Sequence, residues 1–240
     1  MRVLFCLTLL MTARSFNLSA SLEEAYAHYQ RAEQATQVAE RREAFNLALE
    51  QYSQQHSSNP YLLSNIGNCY FHLGEYAWAI YYYEKALKQV PRETQIIDSL
   101  AKAQEAAGVD KVQASLLPRF SYNELVFLFF SLFVCWMLVF SYRLWIKKRL
   151  FVPKVLTFSL VIIGMSLLYI HLFPSADAIL VETALLRHDA GDYYASVSEQ
   201  PLLSGSKVHI LAIQDEGKWL KVATSNGTIG YLSCNTLRLL

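Results

Sequence analysis

The sequence lacks the residue patterns that mark common enzymes and metal sites. It has four cysteines among 240 residues, and their spacing fits neither a zinc site nor a disulfide framework. It contains no HExxH, no P-loop, no dinucleotide-binding glycine motif, no GxSxG and no cysteine with a plausible histidine partner nearby. We therefore predict a protein that is not an enzyme and that uses no catalytic residue, metal or cofactor.

The sequence also has little excess of charge of either sign. Its formal net charge is +1, which argues against nucleic acid or another polyanion as a partner. A bridge between Cys69 and Cys234 is conceivable in an oxidising compartment. The simpler interpretation is that both are small buried apolar residues.

Two long stretches contain no charged residue at all. Residues 125–142 and 155–173 have no Asp, Glu, Lys or Arg, and each is long enough for a helix to cross a bilayer. We therefore predict a transmembrane hairpin with helices at 122–146 and 154–173. The loop 147–153 and its flanks are basic, so the positive-inside rule places the loop in the cytoplasm.

A shorter apolar run follows Arg2 at the N-terminus. Because the run from Val3 to Met11 is too short to cross a bilayer, it predicts a signal peptide over residues 1–20. An uncleaved anchor is the alternative. The basic loop and the signal peptide agree on a bacterial inner-membrane protein with two spans and with both of its soluble domains in the periplasm.

A regular pattern of small, aromatic and aliphatic residues fills residues 60–91. Small residues recur where two antiparallel helices would cross, and tyrosines recur where wider gaps need filling. The matching positions are Leu63, Ile66, Gly67, Tyr70, Gly74, Tyr76, Ala79, Tyr83, Ala86 and Pro91. The pattern resembles the tetratricopeptide repeat, which implies a protein-binding scaffold.

Amphipathic helices on both sides extend this predicted all-α domain to residues 21–118. The domain would hold about two and a half helix pairs, whereas solenoids usually need three or more repeats to bury a continuous core. We therefore expect marginal stability in the absence of a partner.

The tetratricopeptide resemblance implies a concave groove lined by the first helix of each pair. Asn65 and Asn68 are the best candidate contacts, because an Asn amide can donate and accept at once and can hold the backbone of an extended peptide. The predicted groove residues are Tyr61, Ser64, Asn65, Asn68, Phe71, His72, Gln95, Asp98 and Lys102. For any single one of them, simple solvation is the alternative.

Residues 176–240 change to short alternating segments separated by Gly, Asp and Asn, which indicates β-strands. The segment from Leu202 to Leu239 resembles a bacterial SH3 domain, with Asn226 and Gly227 at a hairpin turn. The resemblance implies a small all-β SH3-like barrel with an aromatic ligand surface. The rings available for it are Tyr193, Tyr194, Trp219 and Tyr231, of which Trp219 also fits a core position.

The order of all these segments resembles the BatE-type proteins of aerotolerance operons. The resemblance implies a non-enzymatic assembly factor that works beside membrane-bound von Willebrand A-domain proteins and a MoxR-type ATPase. Our leading hypothesis is a multidomain scaffold, set in the lipid bilayer, that binds other envelope proteins. The alternative is an anchor or sensor whose SH3-like module binds peptidoglycan.

Overall fold

The computed structural model describes residues 22–55, 59–110, 122–146, 158–167 and 176–240. Within these ranges the chain forms seven helices followed by a small sheet. The helices are α1 (22–34), α2 (Val38–Gln54), α3 (Pro60–Leu73), α4 (Tyr76–Leu87), α5 (Thr94–Ala107), α6 (Tyr122–Ile146) and α7 (158–167). The predicted signal peptide 1–20 and the predicted loop 147–153 lie outside the described residues.

Helices α3 and α4 form an antiparallel hairpin whose ends follow from local chemistry. Asn59 caps α3 by accepting a hydrogen bond from the Tyr61 N–H at 2.9 Å, and Pro60 occupies the first turn, where a missing N–H does no harm. Gly74 ends the helix with a φ of +84°, a left-handed conformation that glycine adopts without strain.

The two helices of this hairpin approach most closely at Gly67. A Cβ atom at Gly67 would lie 2.7 Å from Cε1 of Tyr83, so a larger residue would collide with that ring. Tyr83 is almost completely buried at this crossing. The small residue and the tyrosine thus occupy the complementary positions that the sequence pattern predicts.

Two apolar clusters hold the helices together, and α3 belongs to both. The first cluster joins α1, α2 and α3 around Phe45, with Leu62 and Ile66 facing it from α3. The second joins α3, α4 and α5 around Ile80 and Tyr83. Helix α3 is therefore the central element of the helical domain, covered on both sides.

The additional aromatic residues of α4 pack on one another and on α3. Tyr70 stacks on Tyr82 with ring centroids 5.4 Å apart and on Trp78 at 5.9 Å. The guanidinium of Arg238 lies 5.3 Å from the centre of the Trp78 ring. These aromatic residues are thus used in packing within the chain.

The C-terminal residues form a five-stranded antiparallel sheet in the order β4-β3-β2-β1-β5. Its strands are β1 (Asp177–Leu180), β2 (Lys207–Gln214), β3 (Trp219–Thr224), β4 (Ile229–Ser233) and β5 (Leu237–Leu239). Its core contains Ala178, Leu180, Val208, Val222 and Leu232. We call residues 176–240 the sheet domain.

Strand β1 touches both domains. Ala178 and Leu180 face the core of the sheet domain, whereas Ile179 is fully buried in the second helical cluster with Ile80 and Tyr83. This division follows from the alternation of side chains along a strand. The sheet domain therefore packs directly on α4 and α5.

The predicted fold class is wrong about the transmembrane hairpin. None of the helices in the described ranges combines the length and the apolar character that crossing a membrane requires. The ten described residues of α7, 158–167, would cover about 15 Å at 1.5 Å per residue, half of a bilayer core. The described chain is a set of helices plus a small antiparallel sheet.

Candidate functional site

The candidate groove is built around one row of side chains on α3. Asn65, Asn68 and His72 recur at spacings of three and four residues, which places them on the same side of the helix. Asn65 and Asn68 are half-buried, and the edge of His72 is exposed. Three of the predicted groove residues thus form a continuous polar row.

Helix α1 supplies a second wall of this groove. The ring of Tyr29 lies 6.1 Å from the His72 ring and meets it edge-on, and Tyr29 also packs against Phe45 at 5.4 Å. Burial, with Glu33 next in effect, raises the pKa of the Tyr29 hydroxyl well above its usual range. Tyr29 therefore stays protonated and remains a hydrogen-bond donor beside the row.

His72 combines an exposed edge with a covered face. Its ring stacks on Phe45 with centroids 4.6 Å apart and planes 3° from parallel. Burial lowers the pKa of His72 below its usual 6.5, and Arg41 adds to this effect while Glu33 opposes it. The imidazole is therefore largely neutral at pH 7 and can both donate and accept a hydrogen bond.

Asn68 is oriented by a hydrogen bond from the floor of the groove. The Tyr83 hydroxyl donates to Oδ1 of Asn68 at 2.6 Å. Burial raises the pKa of Tyr83 far above its usual range, with contributions from Tyr29 and Cys69, so the hydroxyl remains a donor. Because this bond engages the carbonyl side of the amide, the NH₂ group is the part of Asn68 that a ligand would meet.

Helix α5 provides the third wall. Gln95, Asp98 and Lys102 are exposed and recur at spacings of three and four residues along it. Tyr61, exposed at the start of α3, donates from its hydroxyl to Oε2 of Glu93 at 3.4 Å, just before α5 begins. The groove is therefore polar, with one acid and one base on the α5 side.

Two of the remaining predicted groove residues are placed less favourably for binding. Phe71 is half-buried, packs against the second helical cluster and lies 5.6 Å from the Tyr76 ring. Ser64 is also half-buried on α3. Phe71 thus contributes mainly to the core, and its side chain is a poor candidate for contact with a ligand.

The aromatic residues predicted for the sheet domain do not form one surface. Tyr193 and Tyr194 are 85% and 38% exposed, and their rings lie 4.9 Å apart. Trp219 is half-buried in β3, where it pairs with Gln214 and Ser233. Tyr231 is only 9% exposed, beneath Lys221. Of these four rings, Tyr193 and Tyr194 alone make an accessible pair.

Sequence reasoning missed two features that the structure shows. It did not link Tyr29 to His72, because the first helix pair does not follow the repeat pattern closely enough to be aligned with the second. It also missed a charged cluster between the domains, where Lys207 meets Glu84 and Asp177. No local pattern signals a contact between residues so far apart in the chain.

Cys69 and Cys234 take no part in this site. Cys69 is a free thiol buried in the first helical cluster, and burial raises its pKa to about 12. Cys234 is free and exposed on the sheet domain. The conceivable bridge between them is absent, and the alternative interpretation of Cys69 as a small apolar residue fits its position.

The helical hairpin has a recognisable family pattern. Residues 60–92 match the family model of the tetratricopeptide repeat. The match covers α3, α4 and the turn after them, where the sequence pattern placed it. Tetratricopeptide repeats serve as modules for protein–protein interaction and are typically non-catalytic. No curated protein matches the chain.

The match confirms the predicted tetratricopeptide repeat and, in general terms, its association with protein binding. The chain contains a tetratricopeptide repeat, and its surface is of the kind that binds other proteins. The finer resemblances, to BatE-type proteins and to a bacterial SH3 domain, gain no support from the comparisons.

Proposed function

We propose that the protein is a non-enzymatic scaffold that holds an extended segment of a partner protein in the groove between α1, α3 and α5. The observation that carries this proposal is the polar row of Asn65, Asn68 and His72 inside a tetratricopeptide repeat. An extended segment leaves its own N–H and C=O groups unpaired, and amide and imidazole side chains can satisfy both.

The charge of the groove favours a partner segment of mixed or low charge. Asp98 and Lys102 lie one turn apart on α5, so they offer one charge of each sign. His72 is largely neutral at pH 7 because of its burial, as described above. Backbone recognition therefore supplies most of the affinity, and the charged pair sets the direction of the bound segment.

Copurification with mass spectrometry tests the proposal. The test variant carries Asn65→Ala with Asn68→Asp, which keeps an oxygen to accept the Tyr83 hydroxyl but removes the amide donors. Asn46→Asp, on the exposed side of α2, is the matched control. We expect partners with the normal chain and the control but not with the test variant. Equal recovery with all three would refute binding in the groove.

The envelope as the place of action is a further proposal. The BatE-type resemblance supports it, and the partners it suggests are other envelope proteins, including von Willebrand A-domain membrane proteins. A compartment-sensitive reporter fused after Gly108 tests it. Activity of a periplasmic reporter would support the proposal, and activity of a cytoplasmic one would contradict it.

A second candidate function is supported by the exposed pair Tyr193 and Tyr194. Neighbouring rings that offer an apolar face and a hydroxyl suit a wet, amphipathic ligand, and the resemblance to a bacterial SH3 domain suggests peptidoglycan. Cosedimentation of the full chain with purified cell wall tests this function. Retention that is lost on changing both tyrosines to Ala, but kept on Tyr26→Ala, would favour it.

A further inference from the structure

In the described part of the chain, no second helix packs beside α5 to complete the last pair of the helical array. Helix α5 follows α4 as the first helix of a pair, and in a tetratricopeptide array the second helix of that pair would cover α4 and α5 from one side. The residues that α4 turns to this side are Ala77, Ile80 and Glu84, all buried, and α5 contributes the buried Gln104. Among the described residues, it is the sheet domain that contacts this side.

The cover is the sheet domain, and its apolar contact is specific. Ile179 inserts fully into the cluster of Ile80, Tyr83 and Leu100, while its neighbours in β1 face the other way into the core of the sheet domain. One strand thus closes two cores at once.

A glycine allows the close approach of the two domains. A Cβ atom at Gly205 would lie 2.7 Å from Cδ1 of Ile80 and 3.5 Å from Cβ of Ala107. Gly205 also has a φ of +93°, which a residue with a side chain rarely adopts. The turn before β2 is therefore shaped to fit against α4 and α5.

A charged contact completes the interface. Nζ of Lys207 in β2 lies 3.0 Å from Oε2 of Glu84 and 3.5 Å from Oδ2 of Asp177. Nζ of Lys88 donates to the backbone oxygen of Leu240 at 3.2 Å. A carboxylate as buried as Glu84 needs a partner, and here the sheet domain supplies it.

We propose that the sheet domain is the C-terminal cap of the tetratricopeptide array. It takes the position that the second helix of the last pair would have, and it holds α5 in place. The cap itself does not depend on what the groove binds. A consequence that does rest on the proposed function is that the cap maintains the α5 wall of the groove.

Hydrogen exchange of the full chain, followed by mass spectrometry, tests the cap. The variant Ile179→Ser removes the apolar insertion without touching the core of the sheet domain. Ile213→Ser, on an exposed position of β2, is the matched control. We expect exchange in α5 to rise about tenfold or more in Ile179→Ser and to stay unchanged in the control. Unchanged exchange in α5 for both variants would overturn the cap.

Simple unfolding of the sheet domain would show as faster exchange in β2 and β3. A second experiment therefore uses variants of the charged contact, which leave the apolar cores intact. Glu84→Gln and Lys207→Met remove the charged contact singly and together. We expect each single variant to speed exchange in α5 and the double variant to add little more, because the two residues act as one unit. Effects that multiply, or no effect from either, would contradict the proposal.

Failure of the cap and failure of the groove are distinguishable. If the variant of Asn65 and Asn68 keeps its partners while Ile179→Ser still speeds exchange in α5, the cap is supported and partner binding in the groove is refuted. If Ile179→Ser leaves exchange in α5 unchanged while the variant of Asn65 and Asn68 loses its partners, the cap is refuted and binding in the groove is supported.

Discussion

The two ends of the helical domain are built differently. At the N-terminal end, α1 and α2 close the first cluster around Phe45, and Leu22, Tyr26 and Val38 remain exposed there. At the C-terminal end, Ile80 and Glu84 of α4 are buried under another domain. The first end is closed by its own helices, and the second depends on residues that come much later in the chain.

This difference shows how a short array can be stable. A solenoid of fewer than three complete repeats has little continuous core, and each end exposes apolar surface. Covering one end with a domain of a different kind provides core without adding a repeat. The sheet domain therefore stabilises the C-terminal end of the helical domain, and the N-terminal end gains nothing from it.

Phe45→Ala should have the largest effect and should break the N-terminal end. Loss of this buried ring removes its stacking on His72 and leaves a cavity, which costs about 3–5 kcal/mol in free energy of unfolding. Urea denaturation followed by circular dichroism measures the loss. Hydrogen exchange should rise in α1 and α2 first, and a rise confined to α5 would contradict the assignment of Phe45 to this end.

Gly67→Ala should affect both ends, because α3 belongs to both clusters. The added methyl group meets the Tyr83 ring, and overpacking at a helix crossing costs about 1–3 kcal/mol. Gly74→Ala is the control, since nothing lies near its Cβ position and only the left-handed φ opposes the change. Equal losses for the two variants in urea denaturation would argue against a tight crossing.

Tyr83→Phe should produce a smaller loss. It keeps the ring that fills the crossing but removes the hydroxyl that donates to Asn68, which is worth about 1 kcal/mol. Combining it with Asn68→Ala measures the pair, and we expect the double variant to lose less than the sum of the single ones. Additive losses would show that the hydrogen bond contributes nothing.

Acidification should have the smallest of these effects on stability. It should destabilise the two ends over different ranges of pH. The pKa of His72 is lower in the folded chain than in the unfolded one, so the N-terminal end loses stability as pH falls below about 6.5. The pKa of Asp177 is also lowered: burial would raise it, but the hydrogen bond from His209 and the charge of Lys207 outweigh burial. The stability it contributes is lost only as pH falls below its usual 3.8.

Hydrogen exchange at pH 7 and pH 5, corrected for the intrinsic rate, checks this separation. We expect protection from exchange to be lower at pH 5 than at pH 7 in α1 and α2 and to be unchanged in α5. His72→Phe, which can still stack on Phe45, should remove the difference between the two pH values. A pH effect that survives in this variant would show that another group is responsible.

The hairpin of α3 and α4 could be predicted from sequence because its contacts are local. Gly67 and Tyr83 lie within one repeat, so a fixed spacing records their contact. The polar row on α3 follows from the same period. The strands of the sheet domain were also predictable, since alternation along a strand is visible in the sequence.

The rest could not be predicted, for physical reasons. Lack of charge measures the apolar character of a stretch but does not fix the length of the helix within it. Nor does periodicity record contacts between distant residues. Glu84 and Lys207 are 123 residues apart, and Ile179 looks like any alternating strand residue until α4 is placed beside it.

The cap has a consequence for the time course of synthesis. Ile179 emerges from the ribosome 72 residues after Ala107 ends α5. At roughly 5–20 residues per second, α4 and α5 wait several seconds with Ile80 uncovered. During that interval the nascent chain presents an apolar surface that the finished protein hides. Chaperones that act on nascent chains would therefore meet this protein at α4 and α5.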